Sequence, residues 1–262
     1  MKKIMFVSAF FSVALLSILS FRHTPPAPVA TPAAAPTTAI KTAYKPFVVL
    51  ELFTSEGCSS CPSADEALRE VAGRDGVLAV GFHVTYWNRL GWKDAFSVPA
   101  FDDRQYKYAE KFKASGVYTP QLVVDGEDEF VGSKKSQLDK AIQKSLSQTP
   151  TAGVELSTVK KDNSIVADYQ LAGDLANKEL HLALVERNVV SKVSRGENSG
   201  RTLRHDNVVR DFQTVDIQSG ASGKYTFSLL PAYNLANCLV IAYLQDKTTS
   251  KIVGGAKQAV AL

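Results

Sequence analysis

Phe47-Val48-Val49-Leu50-Glu51-Leu52-Phe53-Thr54-Ser55-Glu56-Gly57-Cys58-Ser59-Ser60-Cys61-Pro62 is an apolar run that ends on a Cys-x-x-Cys pair. A helical pattern follows at once, with Ala64, Ala67, Leu68 and Val71 at i, i+3, i+4 and i+7. The stretch reads as a strand, a turn and a helix over about 59–72, with the cysteines at the junction. Two thiols three residues apart close a small disulfide without unfolding anything. At a helix N-terminus, unpaired N–H groups and the helix dipole favour a thiolate, the attacking species in disulfide exchange. The same spacing also suits zinc or an inert structural disulfide. Structural zinc takes four protein ligands, however. The other cysteine is Cys238, the histidines are His23, His83, His181 and His205, and no two of these have ligand spacing.

The ends of the chain bear on where this chemistry happens. Met1-Lys2-Lys3 precedes a run from Ile4 to Phe21 that only serines interrupt. A basic start followed by an apolar stretch is the pattern of a secretory signal, expected here over residues 1–23. The run is also long enough to span a membrane, so an uncleaved anchor is the alternative. Residues 24–45 hold five of the eleven prolines among alanines and threonines, which predicts an extended linker and a folded part starting near Pro46. A periplasmic or secreted protein follows, in a compartment that permits disulfides. Lys2, Lys3 and Arg22 supply three charges of the net +4, leaving the folded part close to neutral. It has no basic block, which argues against nucleic acid as a partner. Membrane contact is expected only if the N-terminal segment is retained, and no cofactor is expected.

The first half alternates strands and helices. After the opening strand and helix come a strand at Val77–Val84, a helical stretch with Phe101, Gln105, Tyr108 and Phe112 on one face, and a strand at Gln121–Val124. Asp125-Gly126 turns the chain into a short strand at Phe130-Val131, and a last helix has Leu138, Ala141, Ile142 and Leu146 inward. The order β-α-β-α-β-β-α, with the cysteine pair after the first strand, is that of an α/β thioredoxin-like domain, over residues 46–150. From 151 to 262 helical periodicity is weak, and seven strands are expected at 153–160, 164–171, 179–187, 202–212, 223–230, 238–245 and 252–260. That density predicts an antiparallel β-sandwich-like second domain.

Val117-Tyr118-Thr119-Pro120-Gln121 is the second informative segment. Proline cannot donate to a strand ladder, so Pro120 belongs at the strand's entrance. The element order turns that entrance toward the cysteines and predicts a cis Thr119–Pro120 bond. With Phe53 to Pro62, His83-Val84-Thr85-Tyr86-Trp87-Asn88-Arg89-Leu90-Gly91-Trp92-Lys93-Asp94 and Tyr118 to Gln121 quoted together, the chain resembles a secreted bacterial thioredoxin-like family known as domain of unknown function 1223. The resemblance implies the thioredoxin fold, Cys58 and Cys61 as redox pair, and Thr119-Pro120 as the cis-proline site. Thr85 and Asn88 stand where relatives often carry acids, so no carboxylate role transfers to them. Compared with thioredoxin itself, Gly57 replaces a tryptophan before the first cysteine, and Pro62 follows the second, where it suits a first helical turn. Glu56 opposes thiolate formation, so Cys58 is expected to be modestly activated.

Other residues carry weaker signals. His83 reads either as a general base or third metal ligand, or as a buried histidine bonded to backbone. Trp87 and Trp92 read as an apolar wall for substrate or as packing. Cys238 lies in the apolar strand Cys238-Leu239-Val240-Ile241-Ala242-Tyr243-Leu244 and is expected buried and free. Arg204-His205-Asp206-Asn207-Val208-Val209-Arg210-Asp211 reads as a solvated strand face, with His205, Asn207 and Asp211 on one side. The function expected is an exported thiol–disulfide oxidoreductase acting on protein or small thiols and served by a redox partner. Cys58 would attack, Cys61 resolve, and Thr119, Pro120, Trp87 and Trp92 receive substrate. The alternatives are a thioredoxin-fold binding module, and a metal chaperone using Cys58, Cys61 and His83.

Overall fold

Strand β1 (Val48–Thr54) runs parallel to β2 (Val77–His83), paired from Val48–Val77 to Thr54–His83. All seven residues of each are buried, which is why both read as unbroken apolar runs and do not alternate. The computed structural model describes residues 44–217 and 220–261. The signal or anchor expected over 1–23, and the linker up to residue 43, lie outside them. Helix α1 (Pro62–Ala72) connects the two strands, and α2 (Pro99–Phe112) leads to β3 (Gln121–Val124). Strand β3 is antiparallel to β1, and β4 (Asp128–Val131) returns beside β3 before α3 (Lys135–Leu146). The element order of this half is the one read from the sequence. Helix α1 begins later than expected, because Pro62 fits the first helical position and leaves Cys61 as N-cap. Its carbonyl accepts from the N–H groups of Ala64 and Asp65 at 2.8 and 3.0 Å.

The second half contains β5 (Ala152–Lys161), β6 (Ser164–Gly173), β7 (Lys178–Glu186), β8 (Val189–Lys192), β9 (Thr202–His205), β10 (Val208–Asp216), β11 (Ser222–Ser228), β12 (Cys238–Asp246) and β13 (Ile252–Ala259). The strand expected over 202–212 is two strands, broken where Asn207 adopts a left-handed φ of 50°. The short β8 was not expected at all. A larger correction concerns the sandwich. Four of these strands extend the first sheet, whose order is β13-β12-β7-β10-β2-β1-β3-β4. The join is the parallel pair Val208–Gly81, reinforced by Gly81 N–H to the Asn207 carbonyl at 2.8 Å and the Asn207 amide to the Ala79 carbonyl at 2.7 Å. Residues Thr42–Leu262 form one compact unit. The change in composition near residue 150 therefore marks where helices stop, not where one sheet ends and another begins.

Both faces of the large sheet are covered. On one, α2 brings Phe101 and Tyr108 against Phe53, Phe82, Ile241 and Tyr243. On the other, α1 and α3 pack Leu68, Val71 and Leu138 onto Leu50 and Leu52. There too the three-stranded sheet β11-β6-β5 lays Ile165 and Phe227 over Leu182, Leu184 and Val240. Under α2 lies a buried polar knot. Arg104 pairs with Glu51 at 2.6 Å among the rings of Phe82, Tyr108, Phe212 and Tyr243. The hydroxyls of Tyr108 and Tyr243 donate to the same carboxylate. Burial would lower the Arg104 pKa, but Glu51 outweighs it and the net shift is upward. The knot joins α2, β1 and β12, and so pins the two halves of the chain together.

Candidate functional site

Cys58 and Cys61 form a disulfide at the start of α1. The loop carrying Cys58 leaves the end of β1, and Pro120 lies one residue beyond the Phe53–Gln121 pair, at the same end of the neighbouring strand. The Thr119–Pro120 peptide is cis, as expected from the element order. Trp87 links the two segments. Its indole N–H donates to Thr119 Oγ1 at 2.7 Å, and a Cβ at Gly57 would sit 3.0 Å from the Trp87 Cβ. Glycine at position 57 therefore makes room for Trp87. Trp92 donates its indole N–H to Glu56 Oε2 at 2.7 Å. Both tryptophans are half-buried, with their polar ends engaged inside the molecule, so neither forms the free apolar wall that its composition suggests.

The cysteines themselves depart from expectation. At the mouth of the helix Cys58 should be the more exposed of the two thiols, yet both sulfur-bearing residues have no solvent exposure. The cover comes from the loop between β8 and β9. Asn198 donates its side-chain amide to the carbonyls of Glu56 and Cys58, each at 2.9 Å, and Glu197 accepts the Ser59 N–H at 3.0 Å. Arg201 holds Asn198 from behind at 2.6 Å. Ser59 and Ser60 remain exposed, and Ser60 Oγ lies 3.4 Å from Cys58 Sγ. The exposed surface next to Cys58 is thus formed by the two serines.

Beneath the disulfide is a buried cluster of ionisable groups. His205 is buried, not on a solvated strand face, and its Nδ1 meets Asp65 Oδ2 at 3.1 Å. The short β9 and the turn at Asn207 aim it inward toward α1. Asp65 sits one helical turn after Cys61, on the same side of the helix, and also accepts from Thr54 Oγ1 at 2.9 Å. His205 Nε2 faces Glu56 Oε1 at 3.7 Å, and neither atom has a hydrogen-bond partner among the described residues. Burial disfavours the imidazolium, but Asp65 and Glu56 outweigh it and push His205 up to about 10. Burial likewise raises Glu56, as does Asp94, and the contacts with His205, Ser191 and Trp92 together turn the net shift downward.

His83 is buried beside this cluster, with its ring 4.8 Å from that of His205 and Nδ1 bonded to Asp94 Oδ2 at 2.7 Å. The same Asp94 oxygen accepts the Glu56 N–H at 2.8 Å. Burial raises Asp94, but the His83 charge and hydrogen bond and two backbone N–H groups hold it at about 2. The bland expectation for His83, a buried histidine bonded to backbone, has the wrong partner: it is a carboxylate. Nδ1 is committed to Asp94, and among the described residues no group of three or more His, Cys, Asp or Glu side chains is placed to hold a metal ion. Asp102 of α2 accepts both the Thr85 N–H, at 2.7 Å, and the Thr85 hydroxyl.

Cys238 is buried and free, its Sγ 3.4 Å from the Asn234 carbonyl. Burial and the nearby Glu186 push its thiol up to about 11. Alkylation of the reduced native protein at pH 8 should label Cys238 only after denaturant is added. Rapid native labelling, read by mass spectrometry, would contradict this placement.

A family model described as "Protein of unknown function (DUF1223)" matches residues 49–245. A crystal structure of a protein from Agrobacterium tumefaciens is similar at 28% identity and a TM-score of 0.62, covering 80% of this chain and 92% of that one. A domain of the outer membrane lipoprotein Omp28 from Porphyromonas gingivalis matches at 12% identity and a TM-score of 0.27, over 42% of this chain and 88% of that one. A β-glucuronidase from Bifidobacterium dentium matches at 15% and 0.27, over 42% and 18%. The last two scores are too low to carry an inference. No curated protein matches the chain. No helix among the described residues is long and apolar enough to cross a membrane.

Proposed function

Because this chain belongs to the DUF1223 family, whose function is unknown, we propose its activity from its own residues: an exported thiol–disulfide oxidoreductase that cycles Cys58 and Cys61 between disulfide and dithiol. One observation carries this reading. A Cys-x-x-Cys disulfide at a helix start shares one end of the sheet with a cis-prolyl bond, and Trp87 ties the two together. The parallel β1–β2 pair and the antiparallel β3 and β4 beside it support a thioredoxin-like arrangement for this half. A substrate thiolate attacks Cys58 and releases Cys61, and a second substrate thiolate then displaces Cys58, leaving substrate oxidised and the pair reduced. The reverse sequence reduces a substrate disulfide. The backbone at Thr119-Pro120 aligns the substrate strand. The protein works in the periplasm or outside the cell, with thiol proteins or small thiols as partners. Reduction of a chromogenic disulfide by the dithiol form tests this, with Cys58→Ala as the inactive control. No turnover by the wild-type protein would defeat it.

The complete burial of both cysteines favours a second reading, a binding module in which the disulfide only braces the start of α1. The cover over the disulfide separates the two. If the pair is redox-active, the β8–β9 loop must lift to admit a thiol, and Asn198 opposes that movement with two hydrogen bonds. Each is worth about 1 kcal/mol, so their joint loss, about 2 kcal/mol, raises the open population roughly thirtyfold. Asn198→Ala should therefore accelerate reduction of the native disulfide by a small dithiol by about that factor. An unchanged rate would remove the loop from the path to Cys58.

A further inference from the structure

His205 comes from the strand-rich half of the chain, 144 residues after Cys61 in sequence, yet its ring lies between two acids that flank the disulfide. Glu56 precedes Cys58 by two residues, and Asp65 follows Cys61 by one helical turn. The groups facing the imidazole are Asp65 from α1, Glu56 from the β1–α1 loop, and His83 from β2 with Asp94 behind it. Phe96 closes the remaining side, and its ring also carries the guanidinium of Arg210 from β10, 4.9 Å from the centroid. Ser191 of β8 adds a hydroxyl toward Glu56. No strand-end histidine is needed to cap α1 or to complete the sheet. Among the described residues the imidazole is the one basic group in contact with both acids.

We infer that His205 is a positioning residue for the redox pair: as an imidazolium it offsets Glu56 and Asp65, and so permits negative charge to form on the cysteines. This rests on the oxidoreductase reading above. When a substrate thiolate attacks Cys58 Sγ, the Cys58–Cys61 bond breaks and its electron pair stays on Cys61, which one proton then neutralises. When the second substrate thiolate displaces Cys58, that sulfur leaves as a thiolate and takes the second proton. Substrate is oxidised by two electrons and the pair reduced by two. At each stage the charge develops on a pair flanked in sequence by Glu56 and Asp65, with the imidazolium lying between those two acids. With the imidazolium removed, the two acids that flank the pair are left without the cation that offsets them.

The test is the pH dependence of alkylation of the reduced full-length protein by iodoacetamide, with Cys58 followed by peptide mass spectrometry. In His205→Asn the midpoint for Cys58 should rise by about one pH unit, a roughly tenfold loss of thiolate at fixed pH below it. Glu56→Gln removes a like charge and should move the midpoint the opposite way. A purely structural His205 would lower thermal stability and leave the Cys58 midpoint of its own variant in place. An unchanged midpoint in His205→Asn, or shifts of both variants in one direction, would overturn the inference. Where His205→Asn does not fold, the same upward shift is read in His205→Gln. Because alkylation needs no turnover, opposite shifts in a protein that never exchanges disulfides would defeat the oxidoreductase reading and leave the electrostatic role standing.

Discussion

In a Cys61→Ala variant, turnover should cease and disulfide-linked adducts between Cys58 and thiol substrates should accumulate. Cys58 is followed by the exposed Ser59 and Ser60, and the Ser60 hydroxyl is near enough to stabilise its thiolate. Cys61 is the N-cap of α1, enclosed by Pro62, Ala64 and the cluster around Asp65. A substrate sulfur that reaches Cys58 is normally expelled by Cys61, and without Cys61 it stays. Cys58→Ala should form no adducts and lose on the order of 10³-fold or more in rate, since the group that touches substrate is gone. Both variants should fold, because a disulfide that closes so short a loop restrains the unfolded chain little. The readout is a non-reducing gel and intact mass of protein recovered from an exporting host. Adducts formed by Cys58→Ala would reverse the assignment of roles. Adducts from neither variant would favour the binding module.

Arg104→Met should be the most destabilising single change outside the site. It strands the Glu51 carboxylate, which is fully buried in the centre of the sheet, with two tyrosine hydroxyls but no cation. Breaking one side of such a pair costs about 3–5 kcal/mol, whereas replacing both sides with neutral groups costs much less. Glu51→Gln combined with Arg104→Met should therefore recover a large part of the loss. Urea unfolding followed by the fluorescence of Trp87 and Trp92 gives both values. A single variant within about 1 kcal/mol of wild type would mean that the knot does not hold the two halves together.

Much of the first half was legible because its signals are local. Unbroken apolar runs mark β1 and β2, Pro62 marks the start of α1, and Pro120 marks the entry to β3. What joins the halves was not legible, since β10 meets β2 across more than a hundred residues and strand pairing leaves no periodic trace at that distance. One clue was present: β2 is apolar on both faces and so needs a neighbour on each side, and β1 supplies only one. The surroundings of the candidate site divide the same way. Cys58, Cys61 and the cis-prolyl bond follow from spacing and order. His205 was assigned to solvent because the strand was drawn straight through Asp206-Asn207, a dipeptide that suits a left-handed turn. Asp65 could have been found, because it shares the inward face of α1 with Leu68 and Ala72 and is too polar to lie there without partners. Asn198 and Glu197 sit in a glycine-flanked loop that reads only as a turn, and nothing local says what such a loop covers.

The central claim is that Cys58 and Cys61 exchange electrons with thiols while the protein stays folded. Equilibrating the full-length protein in glutathione buffers of graded redox poise, then trapping free thiols with an alkylating agent, measures this directly. The expected result is one transition between disulfide and dithiol, with two-electron dependence on the buffer and with Cys238 unlabelled throughout. A disulfide that stays closed across the whole series and opens only in denaturant would contradict it, and would leave Cys58–Cys61 as a structural brace.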